Sequence, residues 1–321
     1  MSSATVAAND FEEIPIIDIS AAEDPGARPA LARAITRAAE DVGFIYITGH
    51  RNTPEMFNAV IEQARAFFAL PEGEKRKVDL KQSPIYRGYL GMLEKGDDPT
   101  FKGNYLEAFH CGWELAPDDP DVRAGMPLRG PNLWPAAPSG FRDTVYRYFL
   151  NTYEVGFTLL ELIAEGLDLP TDFFARHYQH NIAQLRLLRY PQQDDASVEL
   201  LARPHFDSGV ITLLYQDDTG GLEVMNKART WIEAPPVTGA YIINIGNTLQ
   251  FWTGRRLSST NHQVRNRGSG SARFSLPFFM TPDYDTLVRA MGSESDANAE
   301  TYHVGEAMLR TYRRIWPSMS A

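Results

Sequence analysis

Between residues 183 and 281 the chain is broken so often by glycine that no long helix fits, and this limits the fold more than any other feature. Short runs of branched and aromatic residues occupy Leu185–Tyr190, Val210–Tyr215, Leu222–Met225, Thr230–Ala234, Tyr241–Ile245, His262–Arg265 and Arg273–Phe278. Gly220-Gly221, Gly239, Gly246-Asn247 and Gly268-Ser269-Gly270 separate several of them. Such runs read as strands and such breaks as turns. Many short antiparallel strands in so small a space point to a sandwich or jelly roll, whose barrel can hold a ligand in its mouth.

The flanking stretches follow other periods. Ile14–Ile19 and Phe44–Thr48 read as strands, and Leu31, Ile35, Ala38 and Val42 between them keep helical spacing until Gly43. Thr53-Pro54 suits the start of a second helix, with Met56, Val60, Ala64 and Phe67 as its buried stripe. Residues 80–140 are rich in glycine, proline and aromatics and are expected to be irregular. A long helix is expected from Phe141 to Leu167, with Val145, Phe149, Tyr153, Phe157, Leu160 and Ile163 inward. A closing helix is expected over 303–316, with Val304, Met308, Leu309 and Tyr312 on one side. The expected architecture is therefore mainly β with flanking helices around a jelly-roll core. Its parts would be a loose tail (1–12), an N-terminal α/β region (13–120), a helical connection (121–182), the jelly-roll core (183–281) and a C-terminal helical segment (282–321).

Composition narrows the partners. A net charge of −10 argues against nucleic acid and against anionic membrane surfaces. No apolar run reaches membrane length, and the opening residues lack a signal-peptide pattern. A cytoplasmic monomer or weak oligomer that meets a small molecule is the expectation. The single cysteine, Cys111, excludes an internal disulfide and a Cys-rich metal site, and is expected to be structural or exposed.

The chemistry starts at Arg203-Pro204-His205-Phe206-Asp207. Pro204 cannot donate to a ladder and suits a strand entry. Side chains two apart share a face of an extended segment, so His205 and Asp207 can enter one cavity. His262, in Asn261-His262-Gln263-Val264, could add a second imidazole from another strand. Two histidines and a carboxylate on one face of a metal leave three positions open, as at a non-haem Fe(II) centre, although Mn and Zn suit the same donors. With 7 histidines and 41 acidic residues, about one His-x-acid pair is expected by chance, so the pair alone is not diagnostic. His177 and His180 could share a metal at their spacing, but a helix end accounts for them better. Arg273 and Ser275 also share a face. A guanidinium fork beside a hydroxyl matches a carboxylate, unless the arginine reaches the rim or pairs with a structural aspartate.

Together, His205-x-Asp207, His262 and Arg273-x-Ser275 resemble the isopenicillin N synthase-like branch of the Fe(II)- and 2-oxoglutarate-dependent oxygenases. Asp41–His50, Arg87-Gly88-Tyr89, Tyr241–Gly246 and Leu249-Gln250-Phe251-Trp252-Thr253 are similar to further parts of that family. The resemblance implies that His205, Asp207 and His262 hold Fe(II). It implies that Arg273 and Ser275, with Tyr190, hold the far carboxylate of 2-oxoglutarate as cosubstrate. Leu188 departs from the pattern, since plant members commonly carry Asn there. The implied reaction consumes O2 and 2-oxoglutarate, releases succinate and CO2, and hydroxylates, desaturates or cyclises a small molecule without a side-chain nucleophile. Two alternatives stay open: an iron oxidase of the isopenicillin N synthase type that does not use 2-oxoglutarate, and a non-catalytic metal-binding protein. Substrate is expected between the barrel mouth, the N-terminal insert and the C-terminal helix. Its candidate contacts are Tyr86, Arg87, Tyr105, Phe109, Arg189, Phe206, Phe251 and Phe279, with the arginines hinting at an acid.

Overall fold

The computed structural model describes residues 11–92, 106–192, 198–268, 270–293, 296 and 298–316. In chain order the elements are β1 (Ile16–Asp18), α1 (Arg28–Asp41), β2 (Phe44–Thr48), α2 (Pro54–Phe68) and the short α3 (Glu72–Lys75). Next come β3 (Gly88–Leu90), β4 (Glu107–Gly112), the short α4 (Pro120–Arg123), α5 (Phe141–Gly166) and β5 (Gln184–Tyr190). The core continues with β6 (Leu200–His205), β7 (Ile211–Gln216), β8 (Leu222–Met225), β9 (Trp231–Glu233) and β10 (Tyr241–Ile245). It closes with α6 (Asn247–Trp252), β11 (His262–Arg265), β12 (Arg273–Met280), β13 (Leu287–Arg289), β14 (Thr301–His303) and α7 (Val304–Ile315).

A larger sheet runs β1-β2-β10-β7-β12-β5-β4-β3, and a smaller one, β6-β11-β8-β9, lies across it to complete the jelly roll. The larger sheet is covered on both faces, which explains why all five residues of β10 are buried. On one side α1, α2 and α5 pack down through Phe57, Phe67, Phe149 and Leu160 onto Leu213, Ile243 and Phe278. On the other side Phe44, Tyr46 and Ile242 meet Leu222, Val224 and Val264 of the smaller sheet. Alternate residues of one strand thus enter two different cores.

The segment expected to be irregular is more ordered than its composition suggests. β3 and β4 extend the larger sheet beyond β5, and all six residues of β4 are buried. Packing on both faces overrides the weak local pattern there. In α2 the buried stripe uses Phe57, while Met56 is only partly covered. Thr53 is extended at the N-cap, but its side chain makes no capping bond. No described helix is long and apolar enough to cross a membrane.

Candidate metal centre

Antiparallel pairing of β6 with β11 sets His262 directly opposite His205, so 57 positions of sequence collapse to one cross-strand pair. The imidazole centroids are 4.2 Å apart. Asp207 completes the group: its Oδ1 lies 3.9 Å from Nε2 of His205 and 3.9 Å from Nε2 of His262. Among the described residues this is the one cluster of three such ligands, its ligand atoms all within 4.8 Å of one another.

The surroundings turn these atoms the same way. His205 Nδ1 is 2.7 Å from the Arg203 carbonyl and His262 Nδ1 is 3.2 Å from that of Thr260. Nδ1–H therefore donates to backbone on both rings, and each Nε2 keeps a free lone pair. Asp207 Oδ2 accepts from Thr212 Oγ1 at 2.6 Å and from Asn244 Nδ2 at 2.8 Å, which leaves Oδ1 for the centre. Burial would raise the Asp207 carboxyl, but His262, His205, Thr212 and Asn244 hold it below its ordinary value. Burial pushes His262 down to about 4 against the pull of Asp207, so the ring is neutral at pH 7. Neutral imidazole and ionised carboxylate are the states a divalent metal needs.

The turn after Asp207 is clamped from below. Asn247 N–H donates to the Asp207 carbonyl at 2.7 Å, and Thr248 Oγ1 donates to that of Ser208 at 2.6 Å. A Cβ on Gly246 would meet the Gly209 carbonyl oxygen at 2.1 Å, so only glycine permits this approach. Asn247, to which the sequence assigns no role, acts here through its backbone.

A cavity of about 480 Å³ opens beside the triad, walled by the two sheets and roofed partly by α7. Arg273, Ser275 and Tyr190 line it. Arg273 is 2% exposed; its Nε donates to the Gly220 carbonyl at 2.7 Å and its Nη2 to Gln216 Oε1 at 3.0 Å. The guanidinium sits 5.1 Å from the Tyr190 ring centroid, and its Nη1 is buried without a partner. A buried cation with an unspent donor is costly unless an anion meets it. Leu188 stands opposite Ser275 in the sheet and presents only carbon to this end of the cavity.

Of the expected substrate contacts, Phe206 and Phe279 line the cavity. The other described ones lie elsewhere. Arg189 points to the opposite face of β5 and pairs with Glu107, which also takes Lys75 at 2.6 Å and the Tyr89 hydroxyl at 2.7 Å. Arg87 is buried among the carbonyls of Trp113, Leu128 and Gly130, so it braces loops. Tyr86 packs behind α7 against Tyr312 and Trp316. Phe109 is sealed among Phe67, Trp134 and Phe141, and Phe251 stands behind Tyr302. Tyr105 lies outside the described residues. His177 and His180 make separate contacts: His177 meets the edge of Trp252 and His180 bonds Asp121. Sequence reasoning passed over Thr212 and Asn244. A lone amide inside Tyr241-Ile242-Ile243-Asn244-Ile245 was the available signal.

The chain is similar to known proteins along most of its length. Residues 14–137 match the model for the non-haem dioxygenase in morphine synthesis N-terminal region, and residues 178–282 match that of the 2OG-Fe(II) oxygenase superfamily. A 2-oxoglutarate-Fe(II) type oxidoreductase of Emericella nidulans, hxnY, is 35% identical over 86% of this chain and 82% of its own length. A 1-aminocyclopropane-1-carboxylate oxidase of Dictyostelium discoideum is 30% identical over 87% of this chain and 84% of its own. The crystal structure of a full-length Neurospora crassa protein in complex with alpha-KG superposes with a TM-score of 0.81 at 26% identity, covering 93% of this chain and 95% of that one.

Proposed function

Because this chain belongs to the 2-oxoglutarate- and Fe(II)-dependent oxygenase family, we propose a division of labour among its own residues. The protein is a non-haem dioxygenase that uses Fe(II), 2-oxoglutarate and O2 on a small molecule. His205 and His262 would hold the iron through Nε2 and Asp207 would hold it through Oδ1. The iron, when bound, supplies oxygen activation coupled to decarboxylation of 2-oxoglutarate to succinate and CO2. The rest is positioning by the protein. The carbonyls of Arg203 and Thr260 hold both imidazoles in the metal-binding tautomer, and Thr212 and Asn244 hold the carboxylate.

The single observation that carries the cosubstrate assignment is the unpartnered Nη1 of Arg273. It takes the far carboxylate of 2-oxoglutarate, with the Ser275 and Tyr190 hydroxyls beside it. Leu188, Leu214 and Val264 give the cavity apolar walls that limit water beside the centre, and hydroxylation of the small molecule is the expected outcome. An oxidase among the relatives makes dependence on 2-oxoglutarate the point to measure. Oxygen uptake and succinate release, followed together on the iron-loaded protein, should be equimolar. Oxygen consumption with no succinate would replace this reading with an iron oxidase.

A further inference from the structure

The cavity contains a second cation that neither the metal nor 2-oxoglutarate explains. Gln184, Arg186, Leu188 and Tyr190 all leave the same face of β5. Tyr190 pairs with Arg273 in the register, so Arg186 lies four residues along the strand, about 13 Å towards α7. Its Nε donates to Gln184 Oε1 at 2.9 Å, and its Nη2 only reaches the Tyr312 hydroxyl at 3.4 Å. The Tyr312 hydroxyl in turn donates to the same Gln184 oxygen at 3.1 Å. The guanidinium lies 4.8 Å above the centroid of the Phe279 ring. Arg314, near the end of α7, also borders the cavity, but it is exposed and keeps its hydration.

None of the partners of Arg186 is an anion. Among the described residues no carboxylate is within ion-pair reach of it, and the only carboxylate in the cavity wall is Asp207, already committed to the metal centre. Three residues further along the same strand, Arg189 faces the other way and has its counter-ion in Glu107. On this one strand the contrast is plain: the arginine turned towards the helices has an opposite charge beside it, and the one turned towards the cavity has none. Opposite Arg186 in the register stands His110, 2% exposed and with its Nδ1 unpartnered. Burial, with the Arg186 charge adding to it, holds that imidazole neutral. It competes for no anion.

We propose that Arg186, braced by Gln184 and Tyr312 and flanked by Phe279, anchors the carboxylate of an acidic substrate whose carbon skeleton extends towards the metal centre. This rests on the dioxygenase reading above. A cavity of about 480 Å³ has room for 2-oxoglutarate and one further small molecule. A charge-assisted bond in such a site contributes about ten- to a hundred-fold in affinity.

The test compares acids with uncharged isosteres. Benzoate, phenylacetate and 3-phenylpropionate, each beside its primary amide, are titrated calorimetrically without oxygen into protein saturated with Fe(II) and 2-oxoglutarate. At least one acid should bind about tenfold or more tighter than its amide. Arg186→Gln should bring acid and amide within about twofold, and Arg186→Lys, which keeps charge but loses the fork, should fall between. Unaltered 2-oxoglutarate affinity in both variants shows that they are folded and that the acids are not read by Arg273. No acid binding better than its amide, or an acid preference that survives in Arg186→Gln, overturns the proposal and leaves the dioxygenase reading standing. Failure of the unaltered protein to bind 2-oxoglutarate would instead strike that earlier reading.

Discussion

On β12, Phe274, Leu276, Phe278 and Met280 go to the helices, while Arg273, Ser275, Pro277 and Phe279 line the cavity. The same division runs through β5, with Leu185 and Leu187 against Arg186 and Tyr190, and through β7, with Ile211 and Leu213 against Thr212 and Leu214. The two faces share one backbone and one register, yet they do opposite things. The helix face is apolar and has its few charges paired, as in Lys75–Glu107–Arg189. The cavity face carries an arginine with an unspent donor, a buried histidine nitrogen without a partner and a cation without an anion. On these strands the arginines without a protein counter-ion stand on the face that receives ligands, and the one with a counter-ion stands on the other. If this contrast is sound, changes on one face should cost turnover and changes on the other should cost stability.

The largest effect should come from the metal centre. His262→Ala removes one of three protein ligands and should reduce iron-dependent oxygen use to background. Circular dichroism and equilibrium iron binding on the same sample check it; a folded protein with full activity would end the ligand assignment. On the opposite face, Phe278→Ala empties a fully buried site beside Phe149 and should cost about 3–5 kcal/mol in chemical denaturation. Below its transition that protein should still bind 2-oxoglutarate normally, and a changed affinity would show that the faces are coupled.

Smaller changes sharpen the division. Arg273→Lys keeps the charge and loses the fork, so the dissociation constant for 2-oxoglutarate should rise about ten- to a hundred-fold, with iron affinity retained. Cys111 is fully buried on the helix face, where burial pushes its thiol up and leaves it unreactive. Cys111→Ser should lower stability by about 1–3 kcal/mol, because a hydroxyl is buried there in place of sulfur, while turnover per folded molecule stays within a few-fold. A greater loss of turnover would give the thiol a role that its position does not suggest. Ser275→Ala should have the mildest effect, about 1 kcal/mol in 2-oxoglutarate affinity, measured alongside Arg273→Lys.

Much of this was readable from the chain. The strands over 210–215, 222–225 and 241–245 were visible because branched and aromatic residues run between glycine turns. The long helix was visible because Val145, Phe149, Tyr153 and Leu160 recur at helical spacing. β4 was not, because its six residues carry no alternation and are buried on both faces by partners far away in sequence. Leu200–His205 was recognised only as a strand entry at Pro204, since the exposed polar end of β6 hides its pairing.

By itself the sequence determined which donor atoms the protein owns and which side chains alternate: His205 with Asp207, Arg273 with Ser275, and Arg186 on the face opposite to Arg189. That information is local, because a pleated backbone turns successive side chains to opposite sides wherever it lies. Only the tertiary structure decided that His262 lands across from His205, that Thr212 and Asn244 steady Asp207, and that Arg186 rather than Arg189 meets the cavity. Those outcomes depend on which face of the larger sheet the helices cover. That is settled by the burial of the whole apolar surface, a sum over many distant residues that no single stretch of sequence contains.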